Sequence, residues 1–457
     1  MLDIFGDVGV NESKMHDKFK MLKDNLIFGE KDVLKQWTEK FIDRDNKIIK
    51  EFQTTFHSSF WEFFLNALFI EAGFEVDYTE SRPDFIVISP QKMYVEAVVA
   101  NIKEVGTKEN ERNINNVLSM VKPFYMQKNF KDNLSESVTR YSNSIQYKAV
   151  KKYKDYIKDE HFDDSLPYLI AISGYEQIDY GNNFVFPMMA LLYGRVYDNL
   201  TNTYVNKTEV KKPGTESTIP VGIFLDDSYS HVSAIIYSCT NTLGKLTSLA
   251  ISQGLPNINS VLTIRQDCDL PTYKIQLVSE ESPEYLSDGV FIFHNPNAKN
   301  PISEELFNRT NVINVLYDES NQCSKRKGNN LPIVSRLNLV AGKALFPYMK
   351  KEIFDSFNPE MFDVCAEVLR CEESEGRYEV HFNELEDSIE FSMDFDERAF
   401  KEYKLEKGSK LIIMVFIELD SLLMGFLINK PKFFHKLKKI HGLMEGKGRV
   451  FNLTLME

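Results

Sequence analysis

The sequence predicts an α/β protein, a mixed sheet flanked by helices, followed by a β-rich C-terminal domain. Three observations predict it. A strongly apolar helical pattern runs into three short strand-like segments; a long helical stretch leads into a buried strand; and near Pro359 the texture changes to runs of period 2. At 457 residues the chain has room for two or three domains. Its 43% hydrophobic and 26% charged residues are ordinary for globular proteins, so a core of substantial size can be buried.

Residues 1–54 carry alternating charge, with Phe19, Leu22, Leu26 and Ile27 at roughly helical spacing, and read as a helical, solvated lead-in. Over residues 55–72, apolar side chains at Phe56, Phe60, Phe63, Phe64, Ala67 and Leu68 predict a helix, with Gly73 placed as its C-cap. Residues 74–78, 84–89 and 93–100 read as strands, the last two joined by Pro90, Gln91 and Lys92 in a hairpin. A helix over 137–158 and a strand over 166–174 follow, with further strands of the same unit expected at 221–227, 232–239 and 290–296. The Asn-, Thr-, Gly- and Pro-rich stretch 200–220 reads as loop. Strand-like runs at 364–371, 377–385, 389–395 and 410–419, with a helical insert near 396–408, make the last domain. The expected division is therefore 1–54, 55–358 and 359–457.

Composition also removes several function classes. No leader pattern and no apolar run of about 18 residues is visible, so the expectation is a cytoplasmic protein without a membrane partner. Cys239, Cys268, Cys323, Cys365 and Cys371 are scattered, odd in number, and read as reduced thiols. A net charge of −13 argues against coating nucleic acid with the whole surface, and leaves room for a local basic cleft. Phosphate-loop, H-E-x-x-H and G-x-S-x-G patterns are absent from the sequence.

The chemistry concentrates at Pro83-Asp84, at the start of one strand, and Glu96 in the next. If both carboxylates take the same face of the hairpin they converge on one point, the oxygen cluster that Mg²⁺ or Mn²⁺ takes together with water and substrate phosphate. The bland alternative is a strand-start aspartate and a solvent-facing glutamate. Against it, Glu96 lies among Val95, Ala97 and Val98, where a carboxylate is costly to bury unless it is paired or metal-bound. Glu62 belongs to a polar stripe with Thr55, Ser58, Ser59 and Asn66 that reads either as part of a site or as a solvated face. His57 reads as structural.

Pro83-Asp84 and Glu96-Ala97-Val98, with Glu62 on the preceding helix, resemble the PD-(D/E)XK nuclease superfamily over residues 55–175. The resemblance implies a restriction-endonuclease-like core, DNA as substrate, Asp84 and Glu96 as ligands of Mg²⁺ or Mn²⁺, the Ala97 carbonyl as a further ligand, and a role in bacterial defence against phage. The chain departs from that pattern at Val98, which stands where the superfamily has a lysine. Lys148 is the expected replacement: Arg140, Ser144 and Lys148 fall on one helical stripe, and Lys151 and Lys152 continue it, so that Arg140, Lys151 and Lys152 are expected to meet phosphates. FHSSFWE, SRPDF and FHNPNAKNP further resemble uncharacterised bacterial proteins labelled glycosaminoglycan attachment proteins. That label rests on a Ser-Gly motif and has no chemical basis here, but the likeness brings His294, Asn295 and Asn297 toward the same cleft.

The expected function is a metal-dependent deoxyribonuclease. A nuclease fold that has lost catalysis and serves as a nucleic-acid or protein binding module is the alternative that Val98 favours, and an RNA-directed nuclease is a third. The C-terminal domain is expected to select substrate or dock a partner protein. Its basic, aromatic segment 430–449 reads as an amphipathic surface helix.

Overall fold

A computed structural model describes residues 2–23, 28–101, 109–111, 129–175, 184–198, 203–266, 273–318, 323–328, 331–339, 360–374, 377–403, 405–417, 443–444 and 448–455. The chain divides into two compact units, one of Met1–Lys122, Asn129–Tyr197 and Tyr204–Ala344, the other of Pro123–Lys128, Asp198–Thr203 and Leu345–Glu457. Leu26, Ile27, Cys268 and most of the basic segment 430–449 lie outside the described residues.

The first unit begins with α1 (Asp17–Lys23), α2 (Phe28–Trp37), α3 (Ile48–Thr54) and α4 (His57–Ala72). Phe19, Leu22, Val33, Leu34, Trp37, Ile48 and Phe52 join Phe60, Trp61, Phe63 and Phe64 of α4 in one buried cluster. The lead-in is thus not solvated on this side; each such side chain withdraws apolar surface worth about 1.5–3 kcal/mol, which fastens residues 1–54 to the α/β unit. Gly73 caps α4 at φ 78°, its N–H bonded to the carbonyl of Ile70, as its position predicts. The polar stripe is split: Thr55 and Ser58 are exposed and Glu62 is partly buried. Ser59 and Asn66 are buried, and Asn66 donates to the carbonyls of Trp37 at 2.8 Å and Glu39 at 3.0 Å.

Strands β1 (Glu75–Asp77), β2 (Phe85–Ser89) and β3 (Met93–Val99) form the expected antiparallel run. A helix, α5 (Phe130–Gln146), continues through a π-helical turn at Tyr147–Lys152 into α6 (Tyr153–Tyr156), and leads to β4 (Tyr168–Ser173). It begins seven residues before the expected 137, because Phe130 and Leu134 already bury on its inner side. β3 and β4 are parallel. Beyond α7 (Phe186–Tyr193) come β5 (Ala234–Ser238), α8 (Leu243–Ser252), β6 (Ser260–Gln266), β7 (Tyr273–Leu277), β8 (Phe291–His294), β9 (Ile313–Asp318), β10 (Cys323–Lys327) and β11 (Ile333–Leu339). Eight of these strands form one mixed sheet in the order β1-β2-β3-β4-β5-β8-β9-β10, while β7-β6-β11 form a second.

Two expectations fail here for local reasons. Residues 221–227 are turns rather than a strand: Gly222 takes φ 79°, and the N–H groups of Gly222, Ile223 and Phe224 cap the last carbonyls of α7 at Leu191 and Leu192. The stretch read as loop holds a short hairpin, Glu209–Lys211 against Thr218–Pro220, turned at Gly214 with φ 69°.

The second unit is a curled antiparallel sheet of β12 (Glu360–Ser374), β13 (Arg377–Glu384), β14 (Glu390–Asp396), β15 (Lys410–Ile417) and β16 (Gly448–Leu455), in the order β14-β13-β12-β15-β16. The helical insert is α9 (Glu397–Glu402). Period 2 is visible in the core: Val364, Ala366 and Val368 face Val380 and Phe382, Phe391, Met393 and Phe395, and Leu411, Ile413 and Val415. β12 pairs first with β15 and then with β13, with a register shift between Val368 and Arg370 where it bends from one to the other.

Candidate active site

Register builds the site. Phe85 pairs with Val95 and Ile86 with Tyr94, so one step further along the hairpin Asp84 stands opposite Glu96. Side chains alternate along β3: Met93, Val95, Ala97 and Val99 enter the core shared with α4, which turns Glu96 and Val98 to the opposite face. There the helical segment α5–α6 delivers its polar stripe. Lys148 donates from Nζ to Glu96 Oε1 at 2.6 Å, and Tyr156 donates from its hydroxyl to Glu96 Oε2 at 2.8 Å.

Lys148 lies in the π-helical turn, a distortion frequent at functional sites, and the hydroxyl of Tyr168 on β4 donates to the Lys148 carbonyl at 3.3 Å. Asp84 is fixed from two directions. Its Oδ2 accepts the Ala97 N–H at 2.7 Å. Its carbonyl accepts from Arg44 at 2.8 Å, and the same guanidinium holds the carbonyls of Pro83 and Glu80. Arg82 pairs with Asp159 at 2.8 Å and ties the start of the hairpin to the loop after α6.

Three acidic groups share this region with few cations, and the protonation equilibria of Asp84 and Glu62 show it. Burial, then the charge of Glu96, push the Asp84 carboxyl up to about 7, against the pull of Lys148, the Ala97 N–H and Arg44. Glu62 is partly buried, and burial followed by the charges of Asp84 and Glu51 raises its carboxyl well above the usual range. Burial lowers the Lys148 ammonium, but Glu96, Asp84 and Glu62 outweigh it and hold the group above its ordinary value. Tyr156 is raised by burial and by Glu96 and stays a neutral donor. The arrangement is an under-compensated anionic pocket, with two carboxylates on a hairpin, a third on α4, and an ammonium that remains charged.

The expected residues are brought together unequally. Asp84, Glu96 and Lys148 meet, and Glu62 acts on them through its charge. Arg140 is engaged by Glu136 on its own helix, at 2.7 Å. Lys151 and Lys152 flank the exposed ring of Tyr147 at 5.8 and 5.9 Å. His294 faces Asn314 Oδ1 at 2.8 Å, Asn295 donates to the carbonyls of Tyr229 and Val232, and Asn297 donates to that of Phe224. His294 ties the end of β8 to β9, while Asn295 and Asn297 hold turns, the role that Asn favours locally.

Arg44, Tyr147 and Tyr156 were not singled out by sequence reasoning. Tyr156 had a signal: the four-residue step through 140, 144 and 148 reaches 152 and then 156. Among the described residues, Glu62, Asp84 and Glu96 do not bring three ligand atoms within 4.8 Å of one another. The donor chemistry still fits a hard cation, since Asp84 and Glu96 offer carboxylate oxygens from facing positions of the hairpin, where like charges repel. Comparison with protein-family models, with curated proteins and with solved structures returned no match.

Proposed function

We propose that the chain is a metal-dependent nuclease that hydrolyses phosphodiester bonds of DNA at Asp84, Glu96, Lys148 and Glu62. The observation that carries this reading is Lys148 reaching Glu96 from a helix, at 2.6 Å, on the strand where Val98 takes the position that a lysine has in the PD-(D/E)XK pattern. A migrated lysine restores two carboxylates and one ammonium at a hairpin.

Asp84 and Glu96 would hold Mg²⁺ or Mn²⁺, which when bound supplies Lewis-acid polarisation of the phosphate and a more acidic water. Lys148 stays protonated, so it orients water or neutralises charge on the phosphate rather than accepting a proton. Glu62, whose charge is felt by Lys148 and which feels that of Asp84, would assist the metal or the attacking water from α4. The exposed Tyr147, adjacent in sequence to Lys148 and flanked by Lys151 and Lys152, offers a ring on which a base can stack and two cations for the backbone. The second unit, whose described strands expose Arg370, Arg377 and Lys410 beside Glu372, Glu373, Glu390 and Asp394, would select substrate or dock a partner protein.

A second reading, a binding module without catalysis, draws on the fact that both oxygens of Glu96 are already bonded to protein groups. Cleavage of plasmid, linear DNA and RNA with Mg²⁺ or Mn²⁺ separates these readings. The expected result is metal-dependent DNA cutting abolished by Asp84→Ala and Glu96→Ala and reduced about 10²–10³-fold by Lys148→Ala. Binding without cutting in all proteins would replace the nuclease by the module, and cutting confined to RNA would change the substrate.

A further inference from the structure

His57 and His16 belong to a different cluster from the carboxylate pocket. Glu109, in the short helical turn Glu109–Glu111, turns Oε2 toward both imidazoles: His57 Nε2 is 3.0 Å away and His16 Nε2 is 3.9 Å away. One ligand atom from each of the three residues falls within 4.8 Å of the others. The second oxygen, Oε1, is taken by the Lys18 ammonium, which also lies 4.4 Å from the centre of the Tyr175 ring. The carboxylate is therefore oriented from behind by a cation while its other oxygen points between two rings.

We propose that His16, His57 and Glu109 form a second metal site, one for a borderline divalent ion of the zinc class. Bonds of about 2.0–2.2 Å at a tetrahedral angle hold ligand atoms about 3.4 Å apart, and the separations of 3.0 and 3.9 Å straddle that spacing. Two imidazoles and one carboxylate suit Zn²⁺, Co²⁺ or Ni²⁺, whereas Mg²⁺ prefers oxygen alone, so the two sites of the chain differ in the ion they select. Three protein ligands leave the fourth position to water.

The two rings differ in what coordination asks of them. His57 is 6% exposed and its Nδ1 is buried without a hydrogen-bond partner, so coordination through Nε2 replaces only the contact with Glu109, itself a ligand. His16 Nδ1 accepts the Lys18 N–H at 3.2 Å as a cap on α1, and coordination through Nε2 gives that bond up. His57 and Glu109 are consequently the stronger ligands and His16 the weaker.

The test is titration of the full-length, metal-free protein with Co²⁺, read by its visible d–d spectrum, and competition with Zn²⁺ in equilibrium dialysis. An Asp84→Asn protein is carried in parallel to remove the carboxylate pocket. One ion per chain with a tetrahedral spectrum is expected, in wild type and Asp84→Asn alike. His57→Ala and Glu109→Gln should weaken it by more than the roughly 10–100-fold that losing an outer-shell partner costs, and His16→Ala by about tenfold. Circular dichroism of each variant verifies folding, and Glu109→Gln keeps side-chain shape should His57→Ala misfold. Absence of the spectrum in wild type, its survival in both Glu109→Gln and His57→Ala, or its loss with Asp84→Asn alone would overturn the proposal. None of these readouts depends on nuclease activity.

Discussion

The buried charge around Glu284 and that around Asp84 make an instructive pair among the described residues of the α/β unit, because their acids shift in opposite directions. Lys245 on α8 donates to Glu284 Oε1 at 3.0 Å and to the Asp288 carbonyl at 2.8 Å, Arg336 on β11 holds both Glu284 oxygens, and Arg265 pairs with Asp288 at 2.6 Å. Here three cations face two anions. Burial raises Glu284, but Arg336 and Lys245 outweigh it and pull the carboxyl down to about 2. Around Asp84 the balance is reversed, with three carboxylates near Lys148 and the Arg44 guanidinium turned to backbone carbonyls. Satisfied buried charge fixes packing; charge left short of a counterion is where a cation or a substrate phosphate gains most.

Breaking the compensated cluster is expected to have the largest effect. Glu284→Gln strands Lys245 and Arg336 in the interior and should destabilise the protein by about 3–5 kcal/mol, measured by urea denaturation at pH 7. The group's folded value lies below its ordinary 4.5, so its contribution is complete above about pH 4.5 and is lost as pH falls toward 2. The deficit of the variant should therefore shrink between pH 4.5 and pH 3. A deficit unchanged over that range would mean that shape, not charge, holds the cluster.

Asp84→Asn is expected to move stability the other way. The unfolded chain releases this proton near the ordinary value of 3.8, whereas the native group keeps it to about 7, so the metal-free protein loses stability as pH rises between those values. Asn removes that penalty and retains an acceptor for the Ala97 N–H. The metal-free variant should be more stable than wild type by about 1–2 kcal/mol at pH 8, with the gain fading toward pH 4. Mg²⁺ should then stabilise wild type alone, by about 1.4 kcal/mol at ten times its dissociation constant. Equal stabilisation of both proteins would place the ion elsewhere.

The two clusters were also unequally legible in the sequence. Asp84 and Glu96 could be paired because a hairpin has period 2 and one short turn, so twelve residues of separation fix their facing. Lys148 followed from the vacancy at Val98 and a helical stripe. The compensated cluster was not legible: Lys245, Glu284 and Arg336 come from a helix, a loop and an edge strand, and only tertiary contact unites them. The same limit hid Arg44, whose partners are carbonyls and leave no pattern in side-chain chemistry. In the second unit the strands that bury one face each were read, but β16 (Gly448–Leu455) was missed, its first two residues having been assigned to the basic helical segment 430–449. Residues 221–227 were misread because an apolar run bounded by Gly222 caps a helix as readily as it forms a strand.

Tyr156 gives the smallest and most discriminating contrast. Removing its hydroxyl leaves Glu96 Oε2 without a donor, in a carboxylate that is 2% exposed, while the Lys148 bond to Oε1 remains. The expected loss of stability for Tyr156→Phe is about 0.5–1.5 kcal/mol, that of one hydrogen bond. On activity the outcome depends on what Glu96 does. As a metal ligand it loses a positioning contact, so the metal concentration needed for half-maximal cleavage should rise while the saturated rate changes less than about tenfold. A saturated rate that falls as far as in Lys148→Ala would instead assign Tyr156 to the phosphate, as a second donor beside the ammonium.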